Sequence, residues 1–315
     1  MFIPTILIII GFMLLIKGAD FLVDGASSVA KKFHIPEIVI GLTIVSIGTS
    51  MPELFVSVSS ALEGHSDMAM GNVIGSNVCN LLLILGLSSV IKPVKFQKET
   101  RLIEIPLCLV FTIIFMVLCN TNEVITRPES IALLVLFAMF IAYTIVMGIK
   151  GEKFDGADSK DLKENIPIIK NIIFIILGIL GLKVGGDLTV DNAVIIAQHL
   201  GLSEQIISLT ILAVGTSLPE LVTSVTAAIK GNSDIAIGNI IGSNIFNMLL
   251  IIGVASLISP IVYNVTYNID LIILTLATIA LALFPIIPPK NEISKGNGIV
   301  YLIWYVIYII ILFNV

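Results

Sequence analysis

Long apolar runs dominate the chain, and their length fits a membrane. A hydrocarbon core about 30 Å thick is crossed by a helix of about 20 apolar residues. Ten stretches reach that length, at approximately 3–28, 36–61, 68–91, 103–119, 129–149, 167–196, 204–228, 235–258, 267–286 and 298–313. The pattern therefore predicts an all-α integral membrane protein with ten transmembrane helices.

The two halves of the chain repeat each other. GTSMPE at 48–53 returns as GTSLPE at 215–220, and GNVIGSNVCN at 71–80 returns as GNIIGSNIFN at 238–247, both at an offset of 167 residues. The alignment runs without a gap from Gly18/Gly185 to Pro93/Pro260. It predicts two five-helix repeats, 1–149 and 168–315, joined by a short polar linker at 150–167. Because five is odd, the repeats must enter the membrane from opposite sides, which makes them inverted.

The positive charges predict the orientation. Of the 17 Lys and Arg residues, Lys17 and Lys183 lie within helices. If both termini are outside the cell membrane, Arg127 is the single basic residue of the outer loops, and the remaining 14 lie on the cytoplasmic side. Cytoplasmic loops carry an excess of Lys and Arg. We therefore expect outer termini and a cytoplasmic 150–167 loop.

The amino-acid composition limits which binding partners are expected. The chain is 57% hydrophobic and 12% charged, whereas soluble domains carry about 25% charged residues. The lipid bilayer is thus an expected partner. Basic residues form no dense tract of the kind that binds nucleic acid, and the three cysteines have no CxxC spacing. No protein partner is implied, which is compatible with a monomer.

The second and seventh helices contain a break and a carboxylate. Pro52 and Pro219 each remove a backbone donor inside an apolar run, and such a break is tolerated in a membrane only where it lines a cavity. Glu53 and Glu220 follow these prolines directly. Intramembrane charges mark functional sites by default. Hydroxyl groups lie about one turn away, on Thr49, Ser50, Thr216 and Ser217.

The third and eighth helices add further oxygen atoms. Ser76 and Asn80 are four residues apart and share a helix face, as do Ser243 and Asn247. Glycines at 71, 75, 238 and 242 predict close helix approach. Carboxylate, amide and hydroxyl oxygens suit hard cations such as Ca²⁺ or Na⁺.

Other interpretations remain open at this point. The aspartates Asp20, Asp24, Asp187 and Asp191 lie near predicted helix ends, where they could be interfacial carboxylates or further ion ligands. An intramembrane enzyme with Ser50 or Ser217 as nucleophile needs a base, but the three histidines fall near helix ends. A passive cation channel would show flux without counter-ion dependence.

The duplicated motifs resemble a known family. GTSMPE and GTSLPE, each followed by GNxxGSN, are similar to the two α-repeats of prokaryotic sodium/calcium exchangers of the cation/calcium antiporter superfamily. The resemblance implies a secondary antiporter that exchanges Na⁺ for Ca²⁺ by alternating access, with the first and sixth helices sliding. It implies electrogenic transport, no cofactor besides the transported ions, and no enzyme activity. The alternatives within the superfamily are H⁺/Ca²⁺ and K⁺-dependent exchangers.

The resemblance also implies a set of ligands. Glu53 and Glu220 would be the acidic ligands. An acid at the position of Asn247 is typical of potassium-dependent members, so Asn247 argues against potassium dependence. The other implied ligands are Thr49, Ser50, Thr216, Ser217, Ser76, Ser243, Asn80 and Asn247, with Ser46 and Ala213 acting through backbone carbonyls.

Overall fold

A computed structural model describes residues 2–150, 168–200, 213–288 and 290–312. Its helices are α1 (Phe2–Phe33), α2 (Glu37–Thr49), α3 (Met51–Leu62), α4 (Ser66–Ile91), α5 (Thr100–Asn122), α6 (Arg127–Lys150), α7 (Ile168–His199), α8 (Ala213–Gly215), α9 (Leu218–Lys230), α10 (Ser233–Ile258), α11 (Val265–Ile286) and α12 (Lys295–Leu312). The short strands are β1 (Val94–Lys95), β2 (Val124–Ile125), β3 (Ile261–Val262) and β4 (Glu292–Ile293).

The helices match the predicted membrane spans closely. Within the described ranges, eight helices are long and apolar enough to cross a membrane: α1, α4, α5, α6, α7, α10, α11 and α12. Together α2 and α3 form one further span, bent by 50°. The predicted span at 204–228 is described only from Ala213 onward, and the linker at 151–167 lies outside the described residues. The total of ten therefore stays a prediction.

Both halves contain the predicted break. In the first half Ser50 leaves helical geometry, with φ −85° and ψ 10°, and α3 begins directly after it with Pro52 in its first turn. In the second half Thr216 and Ser217 form a turn, and Pro219 lies in the first turn of α9. Proline is well tolerated in a first turn because the N–H it lacks has no partner within the helix there. Each break therefore places a new helix N-terminus inside the protein.

The centre of the molecule is formed by α4 and α10. Every residue of α10 from Ile235 to Phe246 is buried, and α4 is largely buried as well. Each helix widens into one π-helical turn, at Asn80–Ile84 and at Asn247–Ile251. Such turns are rare and often occur at functional sites. Here they begin at the two asparagines that the sequence motifs single out.

Short strands connect the two halves at their loops. The strand β1 pairs with β4, and β2 pairs with β3, both antiparallel. Since β1 and β3 are related by the 167-residue offset, each pairing joins the first half to the second in an equivalent way. The side chains of Asn120 and Asn268 add two reciprocal hydrogen bonds of 2.8 and 2.9 Å. The equivalence of the halves thus continues beyond Pro93/Pro260, where sequence similarity ends.

Glycines allow the backbones of α1 and α7 to touch. A Cβ atom on Gly18 would lie 2.7 Å from the backbone nitrogen of Leu182. One on Gly185 would lie 2.7 Å from the carbonyl oxygen of Gly11. Both distances are too short for a real Cβ atom, so these positions require glycine. The two long helices consequently pack with their backbones in direct contact.

The close helix approach predicted at Gly238 and Gly242, in α10, is confirmed. A Cβ atom on Gly238 would lie 2.9 Å from the carbonyl oxygen of Ile38, and one on Gly242 would lie 2.6 Å from Ser46 Oγ. These glycines bring α10 against α2, in the other half of the chain. In the first half, Gly71 faces the Tyr267 hydroxyl, where a Cβ atom would lie at 3.0 Å. The segment equivalent to α2, at 204–212, lies outside the described residues.

We expect Gly185→Ala to lower the melting temperature of the purified protein. The added methyl group would meet the α1 backbone at 2.7 Å, and overpacking of this kind typically costs about 1–3 kcal/mol. The matched control is Gly186→Ala in the next position, where the nearest described atom is Pro219 Cγ at 3.9 Å. Equal melting temperatures for the two variants would show that α1 and α7 are not closely packed.

Candidate functional site

Two buried glutamates lie directly after the two breaks. Glu53 and Glu220 are each only 1% exposed, and each lies in the first turn of its helix, α3 or α9. A helix N-terminus carries a partial positive charge that stabilises a nearby carboxylate. The two side chains are close enough to repel each other. The breaks therefore form an interior site with two acidic groups.

Hydroxyl groups at each break lie beside the carboxylate of the opposite half. Ser50 Oγ donates a hydrogen bond of 2.8 Å to Glu220 Oε1, and Thr49 also lies beside that carboxylate. Ser217 Oγ bonds to Ser76 Oγ at 3.2 Å, and both hydroxyls lie beside Glu53. The structure thus brings these predicted residues together across the boundary between the halves.

Two further asparagines, Asn72 and Asn239, hold the breaks in position. The Thr49 hydroxyl donates to Asn239 Oδ1 at 3.1 Å. At the equivalent place in the other half, Thr216 Oγ1 donates to Asn72 Oδ1 at 3.4 Å. The amide nitrogens of Asn72 and Asn239 donate to Ser57 Oγ and Ser224 Oγ, at 3.0 and 2.9 Å. Neither asparagine was predicted from the sequence, although each follows the first glycine of a GNxxGSN motif.

A second pair, Asn77 and Asn244, contacts the predicted ligands Asn80 and Asn247. Asn80 Nδ2 donates to Asn244 Oδ1 at 3.0 Å, and Asn247 Nδ2 donates to Asn77 Oδ1 at 3.0 Å. Each of these contacts crosses from one half to the other. All four side chains are buried. The last residue of each GSN triplet is therefore part of the site's hydrogen-bond network, which the sequence did not indicate.

Several buried oxygen atoms accept no hydrogen bond from any described residue. Those that belong to predicted ligands are Glu53 Oε1 and Oε2, Glu220 Oε2, Asn80 Oδ1, Asn247 Oδ1 and Ser243 Oγ. A buried polar atom without a partner costs about 1–3 kcal/mol, and more when it is charged. We call these five residues the oxygen cage. Carboxylate and amide oxygens are the atoms that Ca²⁺ prefers as ligands, so the residues present fit a hard cation.

The two positions predicted to act through the backbone are less informative. The Ser46 carbonyl oxygen accepts hydrogen bonds from Ser50 N at 3.0 Å and from Thr49 Oγ1 at 3.3 Å. Ala213 begins α8. A ligand role for either carbonyl stays a prediction.

Three of the four aspartates that were expected near helix ends are engaged in ion pairs, and they lie inside the helices, because α1 and α7 continue past them to Phe33 and His199. Lys230 Nζ lies 3.0 Å from Asp20 Oδ1 and 2.8 Å from Asp24 Oδ1, which links α9 to α1. Lys183 pairs with Asp187 at 2.8 Å within α7. These side chains are partly exposed to solvent. All three carboxylates are thus paired with lysine side chains outside the oxygen cage, and an interfacial position stays a prediction.

Duplicated broken helices, a buried carboxylate pair and several membrane spans together describe an ion-transporting membrane protein. The chain belongs to the sodium/calcium exchanger protein family, whose profile matches residues 3–146 and 170–314. It is therefore a multi-pass membrane exchanger of the antiporter type. Its family is one of transporters and not of enzymes.

Similarity to individual proteins covers nearly the whole chain. Inner membrane protein YrbG of Escherichia coli (strain K12) is 34% identical over 306 residues, which are 95% of this chain and 93% of that one. Sodium/calcium exchanger MaX1 of Methanosarcina acetivorans is 30% identical over 357 residues, with 98% of each chain covered. The solved structure of the sodium-calcium exchanger NCX_Mj superimposes with a TM-score of 0.85 at 31% identity, covering 98% of this chain and 97% of that chain. The fold is therefore that of NCX_Mj.

Proposed function

We propose that this protein exchanges Na⁺ for Ca²⁺ across the cell membrane by alternating access. The observation that carries the proposal is the oxygen cage. It holds two carboxylates and buried neutral oxygens that accept no hydrogen bond from described residues. Such oxygens are suited to a cation that has lost part of its water shell.

Charge balance explains why the two ions would exclude each other. The carboxylates of Glu53 and Glu220 neutralise one Ca²⁺, or they can each face a Na⁺ ion. In this proposal both ions bind at the same glutamate pair, so that one ion displaces the other. Transport is electrogenic if more than two Na⁺ ions replace one Ca²⁺, as the family resemblance implies.

The proposed topology has ten spans in two inverted repeats, with outer termini. The reciprocal contacts support it, because several contacts between the halves have a counterpart with the two halves exchanged. Thr49 to Asn239 and Thr216 to Asn72 are one such pair of contacts. A relation of this kind is a two-fold one. With an odd number of spans per repeat, it requires opposite orientations in the membrane.

The pair formed by α1 and α7 is the proposed moving element. Its two helices touch each other through backbone atoms, whereas its contacts with the breaks use the ends of side chains. A Cβ atom on Gly48 would lie 2.7 Å from Ile179 Cδ1, and one on Gly215 would lie 2.5 Å from Val190 Cγ2. Contacts made through side-chain ends can be exchanged as the pair slides. This difference supports movement of α1 and α7 as a unit.

Calcium uptake into proteoliposomes tests the proposal. Radioactive Ca²⁺ uptake would be driven in turn by outward Na⁺, H⁺ and K⁺ gradients, with and without an imposed membrane potential. We expect uptake with the Na⁺ gradient and a response to the potential. Uptake with only a proton gradient would favour H⁺/Ca²⁺ exchange. Uptake that needs no counter-ion would identify a channel and contradict the proposal.

We expect Glu53→Gln and Glu220→Gln each to reduce calcium uptake to the level of protein-free vesicles. Each change removes half of the negative charge that faces a divalent ion, while the size of the side chain is kept. The matched control is Glu63→Gln, at the exposed C-terminal end of α3, which should transport normally. A well-folded Glu53 or Glu220 variant with near-normal uptake would contradict the assignment of the site.

We expect Asn247→Asp to make transport sensitive to K⁺ or to pH. A third acidic group in the cage would bind one more monovalent cation or a proton, because three carboxylates exceed the charge of one Ca²⁺. Asn80→Asp is the equivalent change in the other half and serves as the comparison. Na⁺-driven calcium uptake would be measured for all three proteins with and without K⁺. If the unmodified protein already requires K⁺, the K⁺-dependent alternative replaces this interpretation of Asn247.

A further inference from the structure

We propose that Asn77 and Asn244 are positioning residues that keep the amide oxygens of Asn247 and Asn80 directed into the oxygen cage. Each acts on the ligand of the opposite half. The proposal rests on the proposed function, because it treats Asn80 and Asn247 as cation ligands. It adds two residues that do not contact the cation but decide which end of each ligand amide faces it.

Two backbone carbonyl groups fix the orientation of the Asn77 and Asn244 side chains. Asn77 Nδ2 donates to the carbonyl oxygen of Asn244 at 3.4 Å, and Asn244 Nδ2 donates to the carbonyl oxygen of Asn77 at 3.5 Å. A carbonyl oxygen can only accept, so the NH₂ end of each of these amides must face it. The amide oxygens of Asn77 and Asn244 must then point the other way. Their orientation is thereby fixed by the backbone.

The orientation of Asn77 and Asn244 in turn fixes the orientation of the ligands Asn247 and Asn80. Asn77 Oδ1 accepts from Asn247 Nδ2, and Asn244 Oδ1 accepts from Asn80 Nδ2, both at 3.0 Å. An oxygen at this position requires a donor, so the NH₂ ends of Asn247 and Asn80 must face Asn77 and Asn244. Their own amide oxygens are left on the opposite side, where they accept no hydrogen bond from described residues. Without this constraint, either ligand could turn its NH₂ group, which repels cations, toward the cage.

The same contacts favour amides over carboxylates at the ligand positions. A carboxylate at position 247 would place an acceptor opposite Asn77 Oδ1, at the 3.0 Å distance now occupied by a hydrogen bond. Asn77 and Asn244 are 0% and 1% exposed, so water would not relieve that repulsion. The two residues thereby help to hold the number of charges in the cage at two. Asn77 and Asn244 therefore influence which cations the cage selects as well as how tightly it binds them.

The test combines variants at positions 77 and 247. We expect Asn77→Leu, which is close to Asn in size, to weaken Ca²⁺ binding about three- to tenfold, the effect of one neutral hydrogen bond. A carboxylate offers an oxygen whichever way it turns, so orientation no longer matters when Asn247 is changed to Asp. In that background Asn77→Leu should cost little or should strengthen binding. Ca²⁺ affinity of the purified protein would be measured by titration calorimetry, and the KM and maximal rate of transport in vesicles.

The crossed pairing supplies the control. The Asn77 side chain bonds to the side chain of Asn247 and not to that of Asn80, so the cost of Asn77→Leu should persist in an Asn80→Asp background. Asn244→Leu should show the reverse dependence, losing its effect in Asn80→Asp only. A residue with a purely structural role would have the same cost in every background. We also expect the KM for Ca²⁺ to rise while the maximal rate changes little.

The other outcomes distinguish a wrong ligand assignment from a wrong positioning role. If Asn80→Ala and Asn247→Ala leave Ca²⁺ affinity unchanged, the ligand assignment of the proposed function is wrong. If those variants weaken binding but Asn77→Leu costs the same in all backgrounds, the ligands stand and the positioning role is overturned. Should Asn77→Leu fail to fold, as judged by its melting temperature, Asn77→Ala and Asn244→Ala repeat the comparison with smaller side chains.

Discussion

Two carboxylates, Glu53 and Glu220, lie where water cannot stabilise their charge, and much of the surrounding structure compensates for this. Charged groups inside a membrane are costly and are tolerated only with suitable partners. The helix breaks supply part of the compensation, because they place each glutamate at a helix N-terminus. Ser50 supplies another part through its hydrogen bond to Glu220. A continuous second helix would offer neither the positive end of a helix nor a free hydroxyl at this depth.

The hydrogen bonds that stabilise the site join one half of the chain to the other. Ser50 of the first half donates to Glu220 of the second, and Asn72 of the first half accepts from Thr216 of the second. Neither half therefore contains a complete site. An exchange of conformation between the halves would leave the same kinds of contacts in place with the partners reversed. Two states with similar contacts are close in energy, which is what a reversible exchanger requires.

Much of this arrangement could be predicted from one sequence, and the reason is duplication. The constant offset between Glu53 and Glu220 showed which residues are equivalent, and the prolines showed where the helices break. The offset could not show which residues touch, because Asn77 contacts both its equivalent, Asn244, and the more distant Asn247. Asn72 and Asn239 were missed for a related reason. An amide next to a glycine looks like part of a packing motif until its partners on other helices are known.

The strand pairs have a mechanical consequence. The loop between α4 and α5 is bonded to the loop between α11 and α12, and the loop between α5 and α6 is bonded to the one between α10 and α11. Separating these helices would break backbone hydrogen bonds at both ends, and each buried group left unpaired would cost about 1–3 kcal/mol. Neither α1 nor α7 takes part in these pairings. The strand pairs thus tie the six helices α4–α6 and α10–α12 together at their loops, and among the described residues no strand pair holds α1 or α7 to them.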